Sequence, residues 1–150
     1  MEDCIFCKIV NGSIPSAKIW EDGEFLAILD AFPNTKGMTL VMPKKHFNSY
    51  VFSMHDMDYS ALMLATKNAA KLIKKSLKVE RVTMVMEGQG VNHAHIKLYP
   101  MHGLGEAFEN EQMNKEVFFE KYPGYTNTSP GPKADMDGLQ KLAEEIKNSI

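Results

Sequence analysis

The sequence predicts an α+β fold, in which an antiparallel sheet of about five strands is packed on one side by a long helix. Three observations carry this prediction. Short apolar or alternating segments recur along the chain, an Asp22-Gly23 pair separates two of them, and one long segment has helical periodicity. The resulting order is a hairpin, a strand, a helix and a second hairpin.

The strands are predicted where β-forming residues lie between turn signals. They cover five segments: 17–21, 24–30, 38–42, 81–86 and 91–99. Asp22-Gly23 is a strong signal for a two-residue hairpin between the first pair. Pro43 ends the third strand, and the glycine-containing turn 87–90 joins the last two.

Two helical segments are predicted among these strands. Residues 4–11 form a short helix or turn that ends at a Gly- and Pro-containing stretch. A long helix is predicted over about 56–78, capped by Ser53 or Asp56. Its apolar residues recur every three or four positions and predict one buried stripe: Leu62, Ala65, Ala69, Leu72 and Ile73.

The character of the chain changes after Pro100, where glycine and proline become frequent. We expect a partly helical extension over about 101–150, with a last helix from Asp135 or Asp137 to about Asn148. This segment is too short and too broken to hold its own core. The prediction is therefore a single domain over 1–150, with its core at about 4–100.

The overall composition is that of an ordinary globular protein. The 150 residues are 44% hydrophobic and carry a formal net charge of −2. This charge gives no electrostatic argument for binding nucleic acid or an anionic membrane, and no apolar run is long enough for a transmembrane helix. The N-terminal residues lack the pattern of a signal peptide, so we expect a cytoplasmic protein.

Both cysteines of the chain, Cys4 and Cys7, form a C-x-x-C pair. A thioredoxin-like redox pair follows a strand, and too little chain precedes Cys4 to supply one. Together with His46 and His93, the pair would make a Cys2His2 set for a structural zinc ion. Spacing alone leaves a second reading open, in which the thiols are buried and His46 lies on the surface.

The segment 91–99 alternates between polar and apolar residues. As a strand, it would place His93, His95 and Lys97 in a row on one face. Three basic side chains on one face favour a functional site over a half-exposed strand whose polar face meets solvent.

Four segments in order carry a resemblance to a known family: CIFCKIVNGSIP, IWEDGEFLAILDAFPNTKG, TLVMPKKHF and NHAHIKLYP. Together they resemble the histidine triad family of nucleotide-binding proteins over about residues 4–100. The resemblance implies a homodimer with an α+β fold. It also implies a purine nucleotide pocket, with transfer or hydrolysis at the α-phosphate.

The resemblance also implies roles for individual residues. His95 matches the nucleophilic histidine of the triad, and the set of Cys4, Cys7, His46 and His93 matches the zinc ligands of members that carry C-x-x-C. Asp30 matches a carboxylate that binds the ribose hydroxyls, although a strand-end aspartate is also an ordinary turn residue. Gln89 matches a phosphate-contacting glutamine.

Several apolar residues lie near positions that bracket the base in relatives: Phe6, Ile19, Trp20 and Ile28. Each is also an ordinary core residue, and Ile28 fits the core better.

The sequence departs from the family at the third histidine, which is Lys97 here. A free lysine side chain has a pKa of about 10.4, so proton transfer near neutral pH needs a strongly altered environment. Two further phosphate-side positions also differ, at Met86 and Gly90. His102, just beyond the strand, is either a replacement imidazole or a surface residue.

These observations predict a zinc-stabilised hydrolase or nucleotidyl transferase in which His95 and Lys97 act on purine nucleotide conjugates. Two alternatives stay open. The first is a nucleotide-binding module with little turnover, because Lys97 replaces the third histidine. The second is a zinc-dependent scaffold whose segment beyond residue 100 engages a partner. The long helix is rich in Ala and Met, so it suits packing against a second copy of the chain.

Overall fold

The computed structural model describes residues 3–105, 118 and 120. Internal contacts divide the chain into two units, Met1–Phe108 and Glu109–Ile150, and all elements described below lie in the first. The expected last helix and nearly all of the expected extension lie outside the described residues. The extension and the single domain over 1–150 therefore stay predictions.

Five strands and two α-helices make up the described fold: α1 (Ile5–Val10), β1 (Lys18–Glu21), β2 (Phe25–Leu29), β3 (Thr39–Pro43), α2 (Asp56–Leu77), β4 (Val82–Val85) and β5 (Ile96–Pro100). A single 3-10 turn, Val51–Ser53, precedes α2. The strands form one antiparallel sheet in the order β1-β2-β3-β5-β4. The predicted fold class is confirmed.

The hairpin between β1 and β2 forms where Asp22-Gly23 predicted it. The carboxylate of Asp22 accepts hydrogen bonds from the backbone N–H groups of Glu24 (2.8 Å) and Phe25 (2.7 Å). This is the turn chemistry that makes aspartate common at such positions. The pairing register shifts between Lys18 and Trp20, so β1 contains a bulge.

The sheet is buried on both faces, because α2 covers one and α1 covers part of the other. Ala27, Val41 and Ile96 belong to the core on the α2 side. The core on the α1 side consists of Phe6, Ile9, Leu26, Ile28, Leu40 and Met42. Residues from both faces alternate along β2 and β3, as the period of two requires.

Helix α2 buries four of the five residues of the predicted stripe, Leu62, Ala65, Ala69 and Ile73. The prediction is wrong for Leu72, which is 36% exposed. Neither predicted capping residue serves as the N-cap. That position is His55, which makes no side-chain capping bond. The helix ends at Leu77. The next residue, Lys78, has a left-handed backbone (φ 55°), which lets the N–H of Val79 donate to the carbonyl of Lys74 (3.2 Å).

The last strand is shorter than predicted, and the prediction of a strand over 91–99 is wrong for its first five residues. β5 begins at Ile96. Before it, the N–H of Ala94 donates to the carbonyl of Phe47 (3.0 Å), and the N–H of His93 donates to that of Val91 (2.8 Å). The two histidines therefore lie in a loop that approaches the sheet, and they do not share a strand face with Lys97.

Candidate active site and metal centre

Four side chains from three separate segments converge beside helix α1. Cys4 immediately precedes the helix and Cys7 lies in its first turn, so both thiols share one side of it. His46 follows β3 and His93 precedes β5. The ligand atoms of these four residues lie within 4.8 Å of one another, and they could hold a metal ion. The structure thus brings together all four residues that the sequence predicted as ligands.

The atoms of this cluster are in direct contact. The Sγ atom of Cys4 lies 3.5 Å from Nδ1 of His93, and Sγ of Cys7 lies 3.3 Å from Nδ1 of His46. Cys7 Sγ is also 3.6 Å from His93 Nδ1. Soft thiolates with imidazole nitrogens are the donor set that tetrahedral metal sites use.

Burial shifts the pKa of two residues of the cluster, His93 and Cys7. Burial lowers the pKa of His93, which favours the neutral imidazole that a metal requires. Burial also raises the pKa of the Cys7 thiol, and a hydrogen bond with Cys4 adds to this effect. A metal ion binding here must therefore displace a thiol proton.

A cavity of about 650 Å³ opens next to the cluster, on the α1 face of the sheet. Its size is in the range of small-molecule sites. Most of the wall is apolar and comes from α1, β2, β3 and the segment after α1: Ile5, Phe6, Ile9, Ile14, Pro15, Ala17, Ile28, Leu29 and Leu40. The polar lining includes Asp30, Gln89, His95 and Lys97. The arrangement suits a ligand with an apolar ring and a polar or charged group.

His95 is the most buried polar residue of the cavity wall, at 3% exposure. Its Nδ1 donates a hydrogen bond to the carbonyl oxygen of His93 (2.7 Å). In this tautomer Nε2 carries the lone pair. Burial lowers the pKa of His95, and the positive charge of Lys97 lowers it further. The result is a neutral imidazole, which is the form that acts as a nucleophile or base.

Lys97 lies on β5, where Leu40 of β3 and Val85 of β4 are its cross-strand neighbours. Its Nζ donates to Oε2 of Glu87 at 2.9 Å, and both side chains are mostly shielded from solvent. Glu87 is not among the residues that the sequence predicted for the site. The observed β4–β5 register, continued past Val85, places Glu87 opposite His95 and diagonal to Lys97, whereas the predicted hairpin placed Glu87 in its turn.

Asp30 and Gln89 reach the cavity from two different loops. One carboxylate oxygen of Asp30 accepts a hydrogen bond from the backbone N–H of Phe32 (2.8 Å). Asp30 is therefore a turn residue, as one of the two readings of the sequence expected. The same hydrogen bond holds its side chain at the cavity wall. Gln89 is exposed and follows Gly88, which is pinned to Ser49 by a hydrogen bond from the serine hydroxyl to its carbonyl (2.9 Å).

The apolar residues predicted near the base separate into two groups. Phe6 and Ile28 line the cavity, and Phe6 makes edge contacts with the rings of both His93 and His95. Ile19 and Trp20 do not line it and pack against the α2-side core. The β1 bulge is the reason, since it lets two consecutive residues pack on the same side of the sheet.

His102 also lies apart from the cavity lining. Its Nε2 donates to the carbonyl of Lys36 at 2.8 Å, and the residue is exposed. The segment 14–17, by contrast, forms part of the cavity wall, although its sequence signals only a loop break. Its position depends on contacts across the fold, so no local pattern could have revealed it.

Comparison with known proteins agrees with this architecture. A model described as HIT domain matches residues 11–104. Protein hit of Bacillus subtilis (strain 168) is 38% identical over 112 residues, which are 71% of this chain and 77% of that protein. Adenosine 5'-monophosphoramidase hnt1 of Schizosaccharomyces pombe is 31% identical over 148 residues, covering 98% of both chains.

The fold is also similar to solved structures. A HIT family hydrolase from Clostridium thermocellum superposes with a TM-score of 0.60 and 28% identity. The match covers 70% of this chain and 96% of that one.

Proposed function

The chain belongs to the HIT domain family, and on that premise we propose that it hydrolyses or transfers nucleotidyl groups at the α-phosphate of purine nucleotide conjugates. His95 is the nucleophile in this proposal. The related phosphoramidase of Schizosaccharomyces pombe makes nucleoside phosphoramidates the first substrates to test. Dinucleoside polyphosphates are the second class.

One observation carries the proposal: a buried histidine, held in a single tautomer, lines the polar part of an apolar cavity. The bond from Nδ1 of His95 to the carbonyl of His93 leaves the lone pair on Nε2. Burial keeps the imidazole neutral. A neutral, oriented imidazole is what a nucleophilic step at phosphorus requires.

The reaction then proceeds in two displacements. Nε2 of His95 attacks the α-phosphorus, an N–P bond forms, and the bond to the leaving group breaks with its electron pair going to that group. Lys97 or water supplies the proton that the leaving group takes up. Water then attacks phosphorus and loses its proton to solvent, and the N–P bond breaks with its electrons returning to Nε2. In a transfer, another hydroxyl acceptor replaces this water.

The cavity lining supports a nucleoside monophosphate as the common part of the substrates. Phe6 and other apolar side chains of α1 and β2 offer a surface for a purine ring. In the proposal, the carboxylate of Asp30 accepts hydrogen bonds from the ribose hydroxyls. The amide of Gln89 donates to the phosphate or the leaving group. Ile19 and Trp20 are left out of this assignment because they pack on the α2 side.

The metal in this proposal is zinc, and its role is structural. A tetrahedral zinc ion with Zn–S near 2.3 Å and Zn–N near 2.0 Å places sulfur and nitrogen ligands about 3.5 Å apart. The observed Cys–His separations are 3.3–3.6 Å. With Cys4, Cys7, His46 and His93 as four protein ligands, no position stays open for substrate. The ion would tie α1 to the ends of β3 and β5.

A second function is favoured by the contact between Lys97 and Glu87. An ammonium group already held by a carboxylate is a poor proton donor to a leaving group. The chain would then bind nucleotides with little or no turnover. Both functions predict binding of a nucleoside monophosphate, and only the first predicts a nucleotidyl group trapped on His95.

The decisive experiment uses a fluorogenic adenosine phosphoramidate and a dinucleoside polyphosphate with wild type, His95→Ala, Lys97→His and His55→Ala. We expect turnover by wild type and by His55→Ala, since His55 is exposed and caps no backbone group with its side chain. His95→Ala should be inactive. An inactive wild type beside an active Lys97→His would reject the enzyme and favour the binding module.

The proposed protein is a homodimer. Several large apolar side chains on or just before α2 are exposed: Tyr50, Phe52, Met57 and Leu64. They support packing against a second copy of the chain, and a monodisperse monomer at high protein concentration would contradict the proposed homodimer.

Among the described residues, no helix has the length and apolar character to span a bilayer. A cytoplasmic location remains part of the proposal, because two unpaired cysteines suit a reducing compartment.

A further inference from the structure

The cavity has little positive charge to offer a phosphate chain. Among the described residues that line it, Lys97 is the only one with a permanent positive charge. Asp30 contributes a carboxylate to the same wall, and His95 is a buried imidazole. A site for several linked phosphates needs more cationic groups than this, because each phosphate adds charge that must be balanced.

Lys97 is already engaged in an ion pair. Lys97 Nζ lies 2.9 Å from Oε2 of Glu87, and the exposed fractions of the two side chains are 23% and 12%. An ion pair of equal length joins Lys74 and Glu80, but there the exposed fractions are 51% and 36%. Solvent and salt screen the pair at Lys97 much less, so the carboxylate of Glu87 offsets part of the field that Lys97 projects into the cavity.

We propose that Glu87 is a positioning residue that sets substrate specificity, because it holds Lys97 and neutralises its charge. The site then takes nucleotide conjugates with one negative charge at the α-phosphate in preference to conjugates with further phosphate groups. This inference rests on the nucleotide site proposed above. It adds that the preference comes from Glu87, which does not line the cavity and acts through Lys97.

The physical reason is a balance of charges. A single phosphate charge can share the ammonium of Lys97 with Glu87, since an ammonium has three N–H donors. A second or third phosphate brings more negative charge close to the carboxylate and finds no unbalanced cation. Replacing Glu87 by glutamine keeps the shape of the side chain and leaves the charge of Lys97 uncompensated, so it should favour polyphosphates selectively.

The test measures binding of AMP and ATP by titration calorimetry, without added divalent metal ions. All variants carry His95→Ala so that no turnover occurs. The quantity compared is the ratio of the two dissociation constants, ATP over AMP. We expect Glu87→Gln to lower this ratio by roughly three- to tenfold at low salt. Glu87→Asp retains the negative charge, so its ATP-to-AMP ratio should lie closer to that of the parent than the ratio of Glu87→Gln does.

Glu80→Gln is the matched control, because it removes the carboxylate of an ion pair of the same length that does not line the cavity. It should leave the ratio unchanged. Lys97→Gln provides an independent arm that does not depend on the folding of Glu87→Gln. It leaves Glu87 without its cation and should raise the ratio.

An unchanged ratio in Glu87→Gln, or an equal change in Glu80→Gln, would overturn the inference. So would Glu87→Asp behaving like Glu87→Gln, because the charge would then not matter. Absence of any AMP binding would reject both this inference and the proposed function. A wild type that binds AMP but turns over no conjugate would reject only the proposed chemistry, and the ratio would still decide the role of Glu87.

Discussion

His93 and Pro43 are joined by a buried hydrogen bond of 2.8 Å from Nε2 of the imidazole to the backbone carbonyl. The bond spans fifty residues of sequence and connects the loop before β5 to the end of β3. Because a carbonyl can only accept, Nε2 carries the proton and Nδ1 presents its lone pair to the two thiols. A backbone partner that orients a metal-binding histidine is typical of such sites.

Removal of one ligand should weaken the metal site and the fold together. His46→Ala leaves three of the four ligands. We expect metal affinity to fall by more than about tenfold, because a tetrahedral site loses one donor. The melting temperature of the protein should fall as well, since binding energy at a structural site contributes to folding. Metal analysis and thermal melts with and without a chelator measure both effects.

His102→Ala is the control for this prediction, since His102 lies outside the cluster. It should keep full metal content. A wild type that purifies without metal and melts at the same temperature with a chelator would contradict a structural metal.

Metal retention should depend on pH in a defined direction. The pKa of Cys7 is raised, chiefly by burial, so its thiol holds a proton in the metal-free protein. Metal binding releases that proton, and affinity therefore rises with pH and falls in acid. Competition with a chromophoric chelator at pH 6 and pH 8 should show tighter binding at pH 8. Equal affinity at the two values would mean that no thiol proton is displaced.

The buried stripe of α2 should dominate the stability of the fold. Leu62 is fully buried against the sheet, whereas Lys67, five residues further along the same helix, is exposed. Leu62→Ala should lower the free energy of unfolding by about 2–5 kcal/mol, because it leaves a cavity in the core. Lys67→Ala should change it by less than about 0.5 kcal/mol. Denaturant titrations of both variants give the comparison, and similar losses would contradict the observed packing.

The loop that carries Glu87 and Gln89 depends on Gly88. Its φ is +71°, and a Cβ atom added there would lie 2.9 Å from the carbonyl oxygen of Ser49. Gly88→Ala should therefore destabilise the protein by about 1–3 kcal/mol, through backbone strain and a forced shift of Ser49.

Gly23→Ala is the matched control, because a Cβ at that hairpin position meets no atom within 4 Å. Thermal melts should show a clear loss for Gly88→Ala and little change for Gly23→Ala. A Gly88→Ala protein as stable as wild type would show that this loop can move without cost.

Local patterns predicted the fold well, because secondary structure follows short-range rules. The apolar spacing of α2 and the Asp22-Gly23 turn each correspond to the observed element. The error at residues 91–95 has a specific cause. Alternation over 91–99 looks like a strand, but the backbone of Ala94 bonds to Phe47 and leaves the sheet ladder. That bond depends on a contact 47 residues away, which no window on the sequence contains.

Residue types and the family resemblance predicted the ligand cluster and the polar lining of the cavity. Cys4, Cys7, His46 and His93 do converge, and Asp30, Gln89, His95 and Lys97 do line one cavity. The residues that were misplaced or missed depend on geometry. The bulge of β1 turns Ile19 and Trp20 toward α2, and the end of β4 brings Glu87 to Lys97.

The sequence by itself determined the fold class, the family and the set of chemically capable side chains, because each rests on residue identity and short-range spacing. Tertiary structure decided how His93, His95 and Lys97 differ. His93 bonds to Pro43 and joins the thiols, His95 bonds to the carbonyl of His93 and faces the cavity, and Lys97 pairs with Glu87. The partners of His93 and Lys97 lie fifty and ten residues away, and the bond within the loop between His95 and His93 forms because the chain leaves the sheet there, so only the folded chain sets the tautomers and the charge balance.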